Sequence, residues 1–162
     1  MKKSNEMTNK IGIDNTGAKI LIEKLNKLLS NYQVFYQNTR GFHWNIRGEK
    51  FFELHLKFEE LYTDLQLKID EIAERVLTLD GTPLHTFEKY LQFSEIKPVE
   101  NISDGRTCIA SILDSFKIII TLQRELLDLS AKYNDEGTNA LMSDYIRAQE
   151  KLVWMYSAYL KN

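Results

Sequence analysis

Apolar residues recur at helical spacing in four long stretches of the chain. The first stripe is Ala18, Leu21, Ile22, Leu25, Leu28, Leu29, Tyr32, Phe35 and Tyr36. Its i, i+3, i+4, i+7 rhythm predicts an amphipathic helix reaching about Trp44. Asn45-Ile46-Arg47-Gly48 reads as a turn. The second stripe runs Phe51, Leu54, Phe58, Leu61, Tyr62, Leu65, Ile69, Ile72, Ala73, Val76 and Leu77. It stops at Asp80-Gly81-Thr82-Pro83, where glycine and then proline end a helix. A third starts after Ser103, the expected N-cap, and carries Ile109, Ile112, Leu113, Phe116, Ile119, Ile120, Leu126 and Leu127. The fourth starts near Thr138 with Leu141, Met142, Tyr145, Ala148, Leu152, Tyr156 and Tyr159.

The links between the first and second stripes, and between the third and fourth, are short and imply antiparallel neighbours. Residues 81–102 make a longer link that holds both prolines, and Phe87, Tyr90 and Leu91 in it share one face of a short helix. The expected fold is all-α: a four-helix bundle with a short helix in the long crossover between the second and third long helices, the connectivity of ferritin-like bundles. Residues 1–14 are polar and read as a flexible tail, leaving residues 15–162 as a single domain.

Composition narrows the picture. The chain has 162 residues, 7 glycines and 2 prolines, too few turn formers for an all-β sandwich. With 43% hydrophobic residues and a net charge of −2, it can support a core and is not a disordered chain. No apolar run is long enough to span a membrane, and the start, MKKSNEMTNK, lacks the apolar stretch of a signal peptide. One cysteine, Cys108, makes neither an internal disulfide nor a cysteine-based zinc site. These features fit a soluble protein of a reducing compartment, the cytoplasm.

The chemistry rests on few residues. There are three histidines: His43, His55 and His85. On the second helix Glu59 follows His55 at i+4, and farther along Asp70 and Glu74 are again i, i+4. Imidazole with carboxylates suits a first-row metal such as iron, manganese or zinc. His55 and Asp70 are 15 residues apart, roughly 22 Å along one helix, so they cannot hold one ion within a chain. Their angular offset is modest, about 60° at a helical turn of about 100° per residue. Two copies of the helix packed antiparallel about a two-fold axis near residues 64 and 65 would bring the histidine end of one to the carboxylate end of the other, twice. The Glu-x-x-His pair of bundle-core di-iron sites occurs nowhere in the chain. On spacing alone the alternatives stand. A lone histidine on a helix is more often a surface or core residue, and Asp70 and Glu74, with Lys68, Glu71 and Arg75 around them, also fit a solvated face. His85 reads as structural or surface.

The string His43-Trp44-Asn45, Gly48, Phe51-Phe52-x-Leu54-His55, Phe58-Glu59-Glu60-Leu61-Tyr62 and Asp70-x-Ile72-Ala73-Glu74-Arg75 closely resembles the Dps family of ferritin-like mini-ferritins. The ending Glu150-Lys151-x-x-Trp154-Met155-x-x-Ala158-Tyr159-Leu160 is similar to the family's last helix, so the resemblance spans residues 15–160. It implies a hollow homo-dodecamer with ferroxidase sites between subunits. His43 and His55 come from one subunit, Asp70 and Glu74 from its two-fold mate, and Glu59, where the family often has Asp, reaches toward a second iron. Up to two irons per site (Fe2+ oxidised to Fe3+) are implied, with hydrogen peroxide the preferred oxidant over dioxygen and a ferric mineral stored in the cage, protecting against oxidative damage. Trp44 is placed either to supply an electron when one iron is bound or to pack at the two-fold interface. The family's acidic entry pores point to Asp135 and Glu136 near the start of the last helix, with Asp144 close by; the alternative is a solvated helix N-terminus.

The family name also includes DNA. Lys2, Lys3 and Lys10 against Glu6 give the first ten residues a side-chain charge of +2, while twelve chains at −2 give −24. Phosphate contacts dominate DNA affinity, so DNA binding is expected to be weak and non-specific at most. A nucleoid-coating protein with iron oxidation secondary is the alternative function.

Overall fold

The structure, a computed structural model, describes residues 7–161. It contains α1 (Asn15–Asn45), α2 (Phe51–Thr78), α3 (Phe87–Phe93), α4 (Gly105–Lys132) and α5 (Glu136–Leu160), and no strand among the described residues. This is the all-α four-helix bundle, with α3 as the short helix in the crossover. Contacts between α1 and α2, such as Phe42 on Phe58 and Tyr36 on Tyr62, run antiparallel, as do Gln123–Gln149 and Phe116–Tyr156 between α4 and α5. No described helix is long and apolar enough to cross a membrane.

The four stripes meet in one core. Tyr32, Phe35, Phe58 and Phe116 are its largest fully buried side chains, with Phe35 edge-on to Phe116 at 5.1 Å. Each such ring stabilises the fold by about 1.5–3 kcal/mol through burial. One polar ring sits in this core. Tyr32 donates to Gln123, Gln123 to Gln149 and Gln149 to Tyr32, over 2.6–2.7 Å. Every member is satisfied, so α1, α4 and α5 are held in register without an unpaired buried group. Burial raises the Tyr32 phenol well above its ordinary value and keeps it a neutral donor.

Helix ends differ from expectation in detail. The N-cap of α4 is Asp104, not Ser103, and its carboxylate accepts from both the amide and hydroxyl of Thr107. Helix α5 starts at Glu136 behind an Asp135 cap, two residues ahead of Thr138. At the end of α2 the left-handed residue is Asp80, with φ of 67°. Gly81 is needed for a different reason, because a Cβ there would lie 2.8 Å from the Ile22 side chain.

Part of the expected tail, residues 7–14, is fastened to the bundle. Residues 1–6, with Lys2 and Lys3, lie outside the described residues. From Met7 the chain is tied down. The Met7 carbonyl accepts from Asn15, the Asn9 side chain accepts from the amides of Ile11 and Ile13, and Ile13 is buried. Lys10 pairs with Asp80 at 3.1 Å. Side-chain acceptors that mimic a turn hold the segment without regular structure.

Three asparagines of α1 fasten the long crossover. Asn26 bonds Thr82 and Leu84, and Asn38 bonds Lys97 and Val99. Between them, Asn31 Oδ1 accepts from the Ser94 hydroxyl and from the amides of Glu95 and Ile96 at 3.0–3.2 Å. Asn31→Ala should lower unfolding free energy by about 1–3 kcal/mol, since it strands buried donors. Urea denaturation checks this, and an unchanged midpoint would remove Asn31 as the clasp.

Candidate metal centre

The last turn of α1 and the first turns of α2 face each other across the short link 46–50. His43 and His55 stack there with ring centroids 3.8 Å apart and planes 17° from parallel. Their bonding is reciprocal. His43 Nδ1 lies 2.7 Å from the His55 carbonyl, and His55 Nδ1 lies 2.8 Å from the His43 carbonyl. A carbonyl only accepts, so each Nδ1 carries the hydrogen, and in the neutral ring each Nε2 presents a lone pair. This is how outer hydrogen bonds fix metal-binding imidazoles. The His43 carbonyl is one of the four that a helix C-terminus leaves without an intrahelical donor. Phe51 stacks on the far side of His55 at 5.0 Å, and Tyr62 stands edge-on to His43 at 5.3 Å. His43 is buried and His55 half-buried.

The carboxylates lie on the exposed side of α2. Glu59, Asp70 and Glu74 are all exposed, and none has a side-chain hydrogen bond or ion pair among the described residues. Their neighbours do. Glu60 pairs with Lys57, Asp64 with Lys68, and Glu71 accepts from the Tyr145 hydroxyl. Lys68 therefore goes to Asp64 rather than Asp70. Phe52, Leu56, Glu59, Thr63, Leu67, Asp70 and Glu74 fall within a sector of about 80° on the helical wheel. Phe52 is 84% exposed, Leu67 64% and Leu56 57%. Trp44, at the end of α1, is 57% exposed. Apolar side chains left open along one helix face mark an interaction surface. Among the described residues no three His, Cys, Asp or Glu side chains converge within the chain.

The other candidates separate. His85 is exposed, its ring bonded to the Pro83 carbonyl, remote in sequence and contacts from the histidine pair. Asp135 is not a pore acid. Its buried carboxylate accepts from Arg75 at 2.5 Å and from the amide and hydroxyl of Thr138, capping α5. Glu136 is exposed, and Asp144 pairs with Arg147 at 3.1 Å. Cys108 is buried, and burial pushes its thiol up to about 11, so it is inert as a ligand or nucleophile at neutral pH.

Sequence reasoning missed the aromatic frame of Phe51 and Tyr62 and the basic residue above it. Arg40 lies over the rings of Trp44, Tyr36 and Tyr62 at 4.7, 5.4 and 5.7 Å. The signal was present. Tyr62 is seven residues after His55, and Arg40 one turn before Trp44, so each pair shares a helix face.

Comparison with known proteins agrees with this architecture. The ferritin-like domain family matches residues 22–162. The chain is 41% identical over 159 residues to the "DNA protection during starvation protein" of Porphyromonas gingivalis, covering 98% of each. It is 50% identical over 148 residues to an uncharacterized protein of Haemophilus influenzae, covering 91% of this chain and 92% of that one. Among solved structures, a Dps protein from Vibrio cholerae O1, described as one of the ferritin-like diiron-carboxylate proteins, superposes with a TM-score of 0.95. It shares 57% identity over 98% of this chain and 100% of that one. A Dps protein from Bacillus brevis gives 0.87 at 32% identity, over 90% and 98%. With a histidine pair stacked between α1 and α2, and unpaired carboxylates along the exposed face of α2 in a ferritin-like bundle, the chain belongs to the Dps family.

Proposed function

We propose that this protein is a ferroxidase that oxidises and stores iron. The observation that carries the reading is the histidine clamp. Two imidazoles are locked with Nε2 free, while the carboxylates that would complete their coordination lie roughly 22 Å away along the same helix face. A second copy completes the set. The exposed Phe52, Leu56 and Leu67 on that face supply apolar contact for it. Each site then holds His43, His55 and Glu59 from one subunit with Asp70 and Glu74 of the partner subunit, twice per two-fold pair.

Ferrous iron is the substrate. The clamp presents two nitrogen donors with no rearrangement, and the carboxylates supply charge that favours the ferric product. Two ferrous ions give one electron each to a hydrogen peroxide, which cleaves to water or hydroxide without releasing a radical. Dioxygen serves as a slower oxidant. The ferric ions hydrolyse, release protons and pass to a mineral inside a shell of twelve chains. Protons compete with metal for imidazole, so binding weakens in acid. Trp44, exposed and next to His43, would either supply an electron when one iron is bound or pack at the two-fold interface. A cytoplasmic location fits the buried, unpaired Cys108.

Stopped-flow absorbance after anaerobic ferrous loading and peroxide addition tests this. Ferric absorbance should appear at about one peroxide per two ferrous ions, from particles of twelve times 19.0 kDa. A 19.0 kDa monomer, or an assembled shell that leaves ferrous iron unoxidised, would refute it. The DNA-coating alternative is opposed by charge. The net charge is −2 per chain, and Lys10, one of three tail lysines, pairs with Asp80. A gel-shift titration at about 0.15 M salt should show no stable complex, because tail-only phosphate contacts weaken steeply with salt. A sharp shift there would revive the alternative.

A further inference from the structure

The residues of α2 sort into sectors around its axis. The apolar side packs on α1, and Asp70 and Glu74 lie on the exposed side. Toward α5 lie Asp64, Lys68, Glu71 and Arg75, whose i, i+4, i+7, i+11 spacing puts them in one sector of about 60°. This seam is polar. Glu71 accepts from the Tyr145 hydroxyl at 2.5 Å, and Arg75 donates to Asp135 at 2.5 Å and to Thr138 at 2.9 Å. Lys68, paired with Asp64, lies 5.2 Å from the Tyr145 ring. We infer that Tyr145 and Glu71 are positioning residues: their bond, with the Arg75 pair, fixes the rotation of α2 about its axis and so aims Asp70 and Glu74 at the histidines of a second copy. This rests on the two-fold reading above.

Each anchor follows a proposed ligand by one residue: Glu71 follows Asp70, and Arg75 follows Glu74. One residue is about 100° of turn, so the anchors grip the helix on the flank of the face that carries the ligands. Apolar packing on α1 is non-directional and resists small rotations weakly. A hydrogen bond is directional and weakens as it bends. At the roughly 5–6 Å radius of a helix surface, a rotation of about 10° moves a carboxylate by about 1 Å. That is half the length of a metal–ligand bond, about 2.0–2.2 Å.

The surroundings of the bond give it this role rather than a role in burial. Glu71 is itself exposed, so Tyr145 is not needed to satisfy a buried charge. Toward the start of α2 the seam opens into a groove of about 320 Å³, lined by Asp64, Lys68, Gln149, Leu152 and Tyr156, where close packing does not hold α2 against α5. Tyr145 is a fixed reference point. It is buried, and its ring lies 6.2 Å from that of Tyr32, a member of the polar ring that joins α1, α4 and α5. The two halves of the site are thus oriented by different means: the imidazoles by carbonyl bonds between α1 and α2, the acids by side-chain bonds between α2 and α5.

Anaerobic titration of the assembled protein with Co2+, followed by calorimetry and by the visible absorption of the bound ion, reads affinity and ligand geometry apart from turnover. Tyr145→Phe keeps the ring and removes only the hydroxyl. It should assemble to the wild-type mass, shift the Co2+ bands and weaken binding about tenfold, the lower end of what loss of an outer partner costs a metal site. Glu71→Gln, which keeps an acceptor oxygen for the hydroxyl, should give the wild-type spectrum and affinity, and Glu71→Ala should behave as Tyr145→Phe. If Tyr145→Phe fails to assemble, Glu71→Ala, at an exposed position, carries the same expectation. A wild-type spectrum and affinity in Tyr145→Phe and Glu71→Ala, with both lost in Asp70→Asn, overturns the positioning role and leaves the shared site standing. Glu71→Gln as impaired as Glu71→Ala also overturns it, because charge rather than the bond would then matter. If His55→Ala and Asp70→Asn both bind Co2+ as wild type, the site itself is wrong, and the inference falls with it.

Discussion

Subunits carrying His43→Ala with His55→Ala, mixed after dissociation with subunits carrying Asp70→Ala and Glu74→Ala, should regain ferrous oxidation that neither variant has alone. Each double variant still assembles, because the apolar contacts of Phe52, Leu56 and Leu67 are untouched, and each loses nearly all ferroxidase rate. In a mixed pair one site joins intact histidines to intact carboxylates, and the other joins two damaged halves. Random pairing makes half the pairs mixed, so about a quarter of all sites return. Peroxide-driven ferric absorbance, measured before and after reassembly, gives the fraction. No recovery from correctly reassembled shells would show that the ligands are not shared across subunits, whatever their individual importance.

Asp135→Ala should be the most destabilising single change outside the apolar core. The Asp135 carboxylate is fully buried, caps α5 through Thr138, and is the ion-pair partner of Arg75, whose side chain is only 17% exposed. Removing it leaves the guanidinium unpaired in a dry site, a loss of about 3–5 kcal/mol. Arg75 packs closely on the start of α5, since a Cβ on Gly137 would approach its nitrogens to 2.7 Å. Asp135→Asn keeps the cap and one acceptor and should lose clearly less. Combining Asp135→Ala with Arg75→Met should restore part of the stability. Denaturation midpoints at one protein concentration report all three, and an Asp135→Ala midpoint equal to wild type would show the pair to be dispensable.

These two experiments sample different degrees of legibility. The long helices are readable because burying one face of a helix forces its apolar residues into a 3.6-residue rhythm, and nothing competes with that pattern between Ala18 and Tyr156. Helix ends are less readable. Ser103 and Asp104 are both good caps, and the structure selects Asp104 because its carboxylate takes two donors of Thr107 at once. Asn26, Asn31 and Asn38 look like indifferent surface residues, since their role lies in backbone groups 56–65 positions away. The role of Asp135 is hidden for the same reason. An acid at a helix start suggests an open, anion-lined approach, and only the packing of α2 against α5 reveals Arg75, 60 residues earlier. At the candidate site, residue types and spacing were enough to point to His43, His55, Asp70 and Glu74 as proposals. The reciprocal carbonyl bonds were not readable, because they depend on how closely α1 approaches α2 across the link.

The distance between imidazoles and acids along α2 also has a genetic meaning. On the proposed sharing of ligands, a chain defective in both halves would damage each pair it joins, because its mate's histidines would meet missing acids and its mate's acids missing histidines. In a cell expressing two alleles, function would then decline with the square of the healthy fraction, and a loss-of-function allele of that kind would be dominant.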